Sequence, residues 1–156
     1  MALFKASRRV AVPADVAFSV AANVAAYKDF LPLLHRSSIR GRKIETEVGG
    51  SFEAELAVSY PKLGLAQAFV SRVETNRIER TVSARSNDAP FRAMETKWSI
   101  TPAATGCDVS ITIDYVFHNP LLQIAAGGLM DMAIAKVMAA FEVRAVEVQR
   151  TASRSS

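Results

Sequence analysis

The chain is poor in the residues that build most catalytic and metal sites, with one cysteine and two histidines in 156 residues. The single Cys107 excludes an internal disulfide bond and a multi-cysteine metal site, and it fits a reducing cytoplasm. His35 and His118 belong to no HExxH motif, and the sequence contains no nucleophile elbow or glycine-rich phosphate loop. We therefore expect a cytoplasmic protein with no metal, no covalent cofactor and no catalytic residue.

Long apolar runs are also missing. A membrane-spanning helix needs about 18 consecutive apolar residues, and the closest stretch, 121–141, is interrupted by Gln123, Asp131 and Lys136. The N-terminal segment carries its basic residues spread along it, unlike a signal peptide. The chain is therefore not expected to span a membrane, although it can still touch the inner face of the cytoplasmic membrane.

Composition predicts one folded domain. Half of the residues are hydrophobic and 22% are charged, which is typical of a globular core. We assign residues 1–150 to this domain and residues 151–156 to a flexible tail. Residues 1–43 contain eight lysines and arginines but only two aspartates. This basic portion is either a solvated face or a surface that favours anionic partners such as phospholipid or RNA.

The hydrophobic pattern predicts a strand, two short helices and then a series of strands. Pro13 ends the first strand and can begin a helix over 14–22, and a second short helix is expected over 24–30, ahead of Pro32. From Arg36 onward apolar residues alternate with polar ones, which is typical of antiparallel strands with one buried face. One predicted inner face contains Ile78, Val82 and Ala84. Short Gly- and Pro-containing turns predict hairpins between neighbouring strands.

A long helix is predicted at the C-terminal end. Asn119 can cap it, Pro120 can occupy its first turn, and its pattern continues to about Arg150. The pair Gly127-Gly128 costs about 1 kcal/mol per glycine in a helix, which indicates either close packing or a bend. The elements together predict an α+β fold, in which a curved antiparallel sheet of six or seven strands surrounds the helix.

Three short motifs carry a family resemblance. They are Tyr27-Lys28-Asp29-Phe30-Leu31-Pro32, Ala89-Pro90-Phe91-Arg92-Ala93-Met94 followed by Trp98, and Ala140-Phe141-Glu142-Val143-Arg144-Ala145. In this order the chain resembles the coenzyme Q-binding, START-like family with the helix-grip (START/Bet v 1-like) fold, which is related to polyketide cyclases. The resemblance implies a non-catalytic carrier for a polyprenyl quinone such as ubiquinone, serving respiratory electron transport or quinone biosynthesis.

The resemblance also implies an apolar cavity between sheet and helix. Its predicted wall residues are Phe52, Leu56, Tyr60, Phe69, Trp98, Ile113, Tyr115, Leu129, Met132, Val137 and Phe141. The same residues would form an ordinary filled core if no cavity were left between the two layers. Alternation alone does not separate these two cases.

A membrane-facing entrance is predicted beside the second short helix. It consists of the apolar residues Phe30, Leu31, Pro32 and Leu33, followed by the cations Arg36, Arg40 and Arg42. Such a segment can insert into a bilayer surface while the arginines contact lipid phosphates. The alternative is that the apolar residues pack under the sheet edge and the arginines are solvated.

Two other functions remain open. Some bacterial members of the resembled family are toxins that interfere with ribosome association, which implies a ribosome or RNA partner rather than DNA. A polyketide cyclase-like enzyme is the third hypothesis, in which Arg80 or Tyr115 would polarise a substrate carbonyl. Glu142 and Arg144 are expected to be structural, with Arg144 paired to a carboxylate such as Asp29 or Glu95.

Overall fold

The computed structural model describes the backbone of residues 2–155 and the side chains of residues 3–152. Its elements, in chain order, are β1 (Ala2–Val10), α1 (Ala14–Ala22), a 3-10 helix (Val24–Asp29), β2 (Leu34–Glu45), β3 (Gly49–Tyr60), a 3-10 turn (Pro61–Leu63), β4 (Leu65–Asn76), β5 (Thr81–Ser86), β6 (Phe91–Ala103), β7 (Gly106–Phe117), α2 (Pro120–Gly127) and α3 (Met130–Ser155). This arrangement confirms the predicted α+β helix-grip fold.

The seven strands form one antiparallel sheet in the order β1-β7-β6-β5-β4-β3-β2. Strands β2 to β6 are each paired with the next strand in the chain, as the short turns predicted. The first strand lies beside the last, where Phe4 is paired with Ile113. The sheet therefore presents one continuous inner face to the C-terminal helices.

The alternating pattern predicted most inner-face residues but misassigned Ile78. Its side chain is 69% exposed, because residues 77–80 form a turn and β5 begins only at Thr81. The Asn76 side chain stabilises this turn by accepting hydrogen bonds from the backbone nitrogens of Ile78 and Glu79 at 3.0 and 2.9 Å. Val82 and Ala84 do lie on the inner face.

The C-terminal region contains two helices rather than the single helix predicted. The Asn119 side chain accepts hydrogen bonds from the backbone nitrogens of Leu121 and Leu122, which confirms the predicted cap. The axes of α2 and α3 differ by 61°. A Cβ atom at Gly127 would meet nothing within 4 Å, and one at Gly128 only a backbone oxygen at 3.8 Å. Of the two explanations for the glycine pair, the structure therefore favours the bend.

Helix α3 extends five residues beyond the predicted end, through Ser155. The Thr151 hydroxyl donates a hydrogen bond to the Glu147 carbonyl oxygen at 3.0 Å, within the helix. Residues 151–155, predicted as part of a flexible tail, are thus helical, and Ser156 lies outside the described residues. Within the described range no single helix is long and apolar enough to cross a membrane, although the bent pair α2 and α3 is by length and composition alone.

Packing differs between the two halves of the inner face. Toward the β6–β7 turn, α1 contacts α3 and strands β5, β6 and β7, and Val10, Cys107 and Val109 are fully buried. Farther toward α2, Ala84 and Ile113 lie on the inner face but are only partly buried. Space is therefore left between sheet and helix in this second half.

Candidate functional site

An apolar cavity of about 240 Å³ lies between the sheet, α3 and the segment 31–34. Eight of the eleven predicted wall residues line it: Leu56, Tyr60, Phe69, Trp98, Ile113, Tyr115, Leu129 and Val137. The gap that the sequence left undecided is therefore present between the two layers.

Three predicted wall residues lie elsewhere. Phe52 and Phe141 are buried in the core without lining the cavity. Met132 is 53% exposed, so its assignment to the wall is wrong. The reason is helical phase: Met130, Ala133 and Val137 face the cavity, and Met132 falls on another side of the helix.

Several lining residues were missed as site residues. They are Val24, Tyr27, Leu34, Val58, Leu63, Leu65, Val73, Val82, Ala84, Phe91, Met94, Thr96, Ile111, Phe117, Ala126, Met130 and Ala133. Most occupy alternating inner positions of their strands, so the period of two was the available signal. Leu63 of the 3-10 turn and Ala126 of α2 reach the cavity only through the tertiary structure, so no periodic pattern in the sequence marks them as wall residues.

The cavity wall is almost entirely carbon, with four side-chain hydroxyls. The Tyr27 hydroxyl donates to the Ala21 carbonyl oxygen, and burial raises the pKa of Tyr27 strongly. The Thr96 hydroxyl contacts the Met94 sulfur at 3.2 Å. No charged side chain of the described residues lines this cavity. Such a wall suits an uncharged, largely apolar ligand.

Tyr115 differs from Tyr27 and Thr96 of the same wall because its hydroxyl has no hydrogen-bond partner in the described part of the chain. Its side chain is 1% exposed, and its hydroxyl has no hydrogen-bond partner among the described residues. Burial raises the pKa of Tyr115, so the hydroxyl remains protonated at neutral pH and can donate a hydrogen bond. The Tyr60 side chain, in contrast, is only partly buried.

A connected set of aromatic rings lies around Tyr115. Its ring contacts Phe4 and Phe117 with centroid distances of 6.0 and 5.2 Å. Phe117 stacks on Phe91 at 5.0 Å, and Phe91 meets Phe69 edge-on at 5.2 Å. Four of these five rings line the cavity. A planar ligand ring would find offset-stacked and edge-on partners here.

The predicted entrance segment is divided by the structure. Leu31, Pro32 and Leu33 line the cavity, and the Leu33 side chain is also 36% exposed. The backbone carbonyl oxygen of Leu33 accepts a hydrogen bond from the Ser59 backbone nitrogen at 2.8 Å, which holds the segment against β3. Phe30 does not line the cavity, because its ring lies beneath the Arg144 guanidinium at 5.4 Å.

The predicted group of arginines around the entrance does not form. Arg36 lies near the entrance end of β2 and faces Glu55 across 3.8 Å. Arg40 and Arg42 lie farther along β2, at about 3.3 Å per residue. Arg40 opposes Glu53 on β3, on the outer face, where both line a charged depression of about 750 Å³. Arg36 and Arg40 lie four residues apart on the same extended strand, which is a separation of about 13 Å.

The charged residues of the other hypotheses also have different partners from those expected. The Arg80 guanidinium pairs with Asp15 at 2.8 Å and does not line the cavity, so the idea that Arg80 polarises a cavity-bound carbonyl is wrong. Among the described residues, Arg144 contacts the Phe30 ring and not a carboxylate, and Glu95 pairs with Arg85 at 3.4 Å. Glu142 pairs with Arg8 at 2.8 Å, which connects α3 to β1.

Comparison with known proteins reveals relatives with different described roles. The chain is 30% identical over 147 residues to the ribosome association toxin RatA of Escherichia coli, covering 91% of this chain and 87% of that protein. It is also 30% identical over 120 residues to the mitochondrial coenzyme Q-binding protein coq10 of Schizosaccharomyces pombe, covering 76% and 71% of the two chains.

A solved START superfamily protein from Mycobacterium smegmatis has the same fold. Its TM-score is 0.78 at 18% sequence identity, and the match covers 94% of this chain and 98% of that one. The family model described as polyketide cyclase/dehydrase and lipid transport matches residues 10–142, which contain α1, the whole of strands β2 to β7 and the first half of α3. The chain therefore belongs to the polyketide cyclase/dehydrase and lipid transport family.

Proposed function

We propose that this protein is a non-catalytic carrier that holds a polyprenyl quinone, or a closely similar lipid, between its sheet and α3. The observation that carries the proposal is the composition of the cavity wall, which contains no charged side chain of the described residues and consists almost entirely of carbon. Burying apolar ligand surface against such a wall supplies the binding free energy without a reacting group. The 30% identity to the coenzyme Q-binding protein of Schizosaccharomyces pombe supports the same ligand class.

The size of the cavity limits how such a lipid would bind. About 240 Å³ is slightly below the range of about 300–1,000 Å³ common for ligand pockets. This space suits one substituted ring and the start of a tail, but not a whole polyprenyl lipid. The rest of the tail would leave between Leu33 and α2, where the wall residues are partly exposed.

Helix α2 supports a contact with the cytoplasmic membrane. Its Leu121 and Ile124 side chains are 77% and 76% exposed, although they are large and apolar. On the opposite side of the same helix, Ala126 is buried and lines the cavity. A short helix with one face on the cavity and apolar side chains facing outward can lie in the lipid interface. The net charge of +4 favours an anionic surface.

The decisive experiment is organic extraction of the protein purified from its native host, followed by mass spectrometry. We expect a quinone in the extract at a substantial fraction of the protein concentration. Delipidated protein should then bind added ubiquinone, measured by quenching of Trp98, which is the single tryptophan and lines the cavity. Extracts free of lipid, combined with no quenching by added quinone, would contradict the proposal.

A ribosome-directed role is the second candidate, and the observation that favours it is the 30% identity to RatA over 91% of the chain. Co-sedimentation with ribosomal subunits tests it. Binding through phosphate contacts should weaken steeply between low and moderate salt. Co-sedimentation that is unaffected by salt, or absent, would speak against a nucleoprotein partner.

A further inference from the structure

The Tyr115 hydroxyl is the one buried cavity-wall hydroxyl that the described residues leave without a partner. Tyr27 and Thr96, which line the same cavity, both have protein partners for their hydroxyls. Burying a hydroxyl without a hydrogen bond destabilises a folded protein, whereas phenylalanine would fill the same place without this cost. The Tyr115 hydroxyl therefore makes no hydrogen bond to the described residues that would stabilise the ligand-free protein, and it is available to a ligand.

The surrounding rings restrict the orientation of this group. Phe4 lies nearly parallel to the Tyr115 ring, at an angle of 14°, and Phe117 meets that ring edge-on at an angle of 61°. The backbone of Tyr115 is also held, because its carbonyl oxygen accepts a hydrogen bond from the Gln123 side chain at 3.3 Å. A donor that is fixed in this way loses little conformational entropy when it binds an acceptor.

We propose that the Tyr115 hydroxyl is the hydrogen-bond anchor for an oxygen atom on the ligand's ring. This inference rests on the proposed carrier function and identifies which end of the ligand lies near β7. The ligand class is a planar ring with a carbonyl or hydroxyl oxygen, attached to a hydrocarbon tail. The ring would contact Phe91 and Phe117, while the tail would follow the aliphatic residues near Leu33 and Leu65.

The test compares two probes on the wild-type protein and on Tyr115→Phe. One probe is a ubiquinone with a short prenyl tail, and the other is a prenylbenzene with the same tail and no oxygen. We expect Tyr115→Phe to weaken quinone binding about five- to tenfold, with prenylbenzene binding unchanged. The ligand-free variant should melt at the same temperature as the wild type or higher, since it loses an unsatisfied buried hydroxyl.

Thr112→Val is the matched control, because it removes a hydroxyl from the same strand, β7, at a residue that does not line the cavity. It should change neither affinity by more than twofold. Equal losses for both probes in Tyr115→Phe, or no loss for the quinone, would overturn the anchor while leaving the carrier function intact. A wild-type protein that binds neither probe would overturn both proposals together.

Discussion

The indole of Trp98 stacks on the ring of Phe141, with the centroids 4.8 Å apart and the planes inclined by 26°. Trp98 lies on β6 and Phe141 on α3, and both side chains are buried. Trp98 lines the cavity, whereas Phe141 does not. The contact therefore fastens the helix to the sheet beside the cavity, while another part of the Trp98 side chain forms its wall.

We predict that Phe141→Ala destabilises the protein by about 3–5 kcal/mol, because it removes a fully buried ring and leaves a space that the core cannot close. Urea unfolding monitored by circular dichroism measures this change. Val143→Ala is the control on the same helix, since Val143 is 59% exposed, and it should change stability by less than about 0.5 kcal/mol. A loss below about 1 kcal/mol for Phe141→Ala would show that the contact is not a principal attachment.

The sheet was more predictable than the space that it encloses. Alternation identified the inner positions of β7 because one face of an antiparallel strand is buried and the other is solvated. It could not show whether α3 fills that inner face, since Phe141 and Val137 have the same sequence signal. Phe141 packs on Trp98, whereas Val137 lines the cavity. The difference depends on the distance between helix and sheet, which no local pattern encodes.

Partners of charged residues were the least predictable feature. Arg144 was expected to meet a carboxylate, but it lies over the Phe30 ring, and Glu142 pairs with Arg8 from the other end of the chain. Long charged side chains reach many partners, and each surface pair contributes little free energy. Sequence therefore contains little information about which pair forms.

The two glycines at the end of α2, Gly127 and Gly128, have free space around them and lead to a second prediction. Gly127→Ala should stabilise the protein by about 0.4–1 kcal/mol, because alanine loses less conformational entropy and a Cβ atom there meets nothing within 4 Å. Urea unfolding monitored by circular dichroism measures this change. A lower stability of Gly127→Ala than of the wild type would contradict the expectation that this position accepts a Cβ atom without strain.

Gly106→Ala provides the opposite control. Gly106 has a φ of 95°, and a Cβ atom there would lie 2.2 Å from the Val10 carbonyl oxygen. We expect this substitution to destabilise the protein by more than about 1 kcal/mol. Together, Gly127→Ala and Gly106→Ala test whether the space and backbone conformation at each glycine determine if alanine raises or lowers the stability of the protein.

Filling the cavity should block ligand binding without harming the fold. Ala84 lies on β5, is only partly buried, and lines the cavity. Ala84→Phe places a ring in this space, and we expect quinone affinity to fall at least tenfold while the melting temperature changes little. Ser83→Phe is the matched control, because Ser83 is adjacent on the same strand but does not line the cavity. Equal loss of affinity in both variants would place the ligand elsewhere.

The exposed apolar side chains of α2 provide the last prediction, which concerns delivery rather than binding. Replacing Leu121 and Ile124 together with aspartate should reduce binding to anionic phospholipid vesicles at least tenfold, because each apolar side chain buried in the interface contributes about 1.5–3 kcal/mol. Quinone binding in detergent should not change, since neither residue lines the cavity. Co-flotation with vesicles measures the first effect, and Trp98 fluorescence measures the second.

Ile78→Asp distinguishes a specific membrane contact from a general effect of surface hydrophobicity. Ile78 is 69% exposed, comparable with Leu121 and Ile124, but it lies in the turn before β5, outside the cavity wall. If α2 is the membrane-facing element, this variant binds vesicles as the wild type does. If all exposed apolar residues contribute alike, Ile78→Asp should lose about half of the vesicle-binding free energy that the double substitution loses. That result would contradict the assignment of the membrane contact to α2. The distinction matters for mechanism, because only a contact at α2 would bring the cavity next to the lipid phase in which a quinone dissolves.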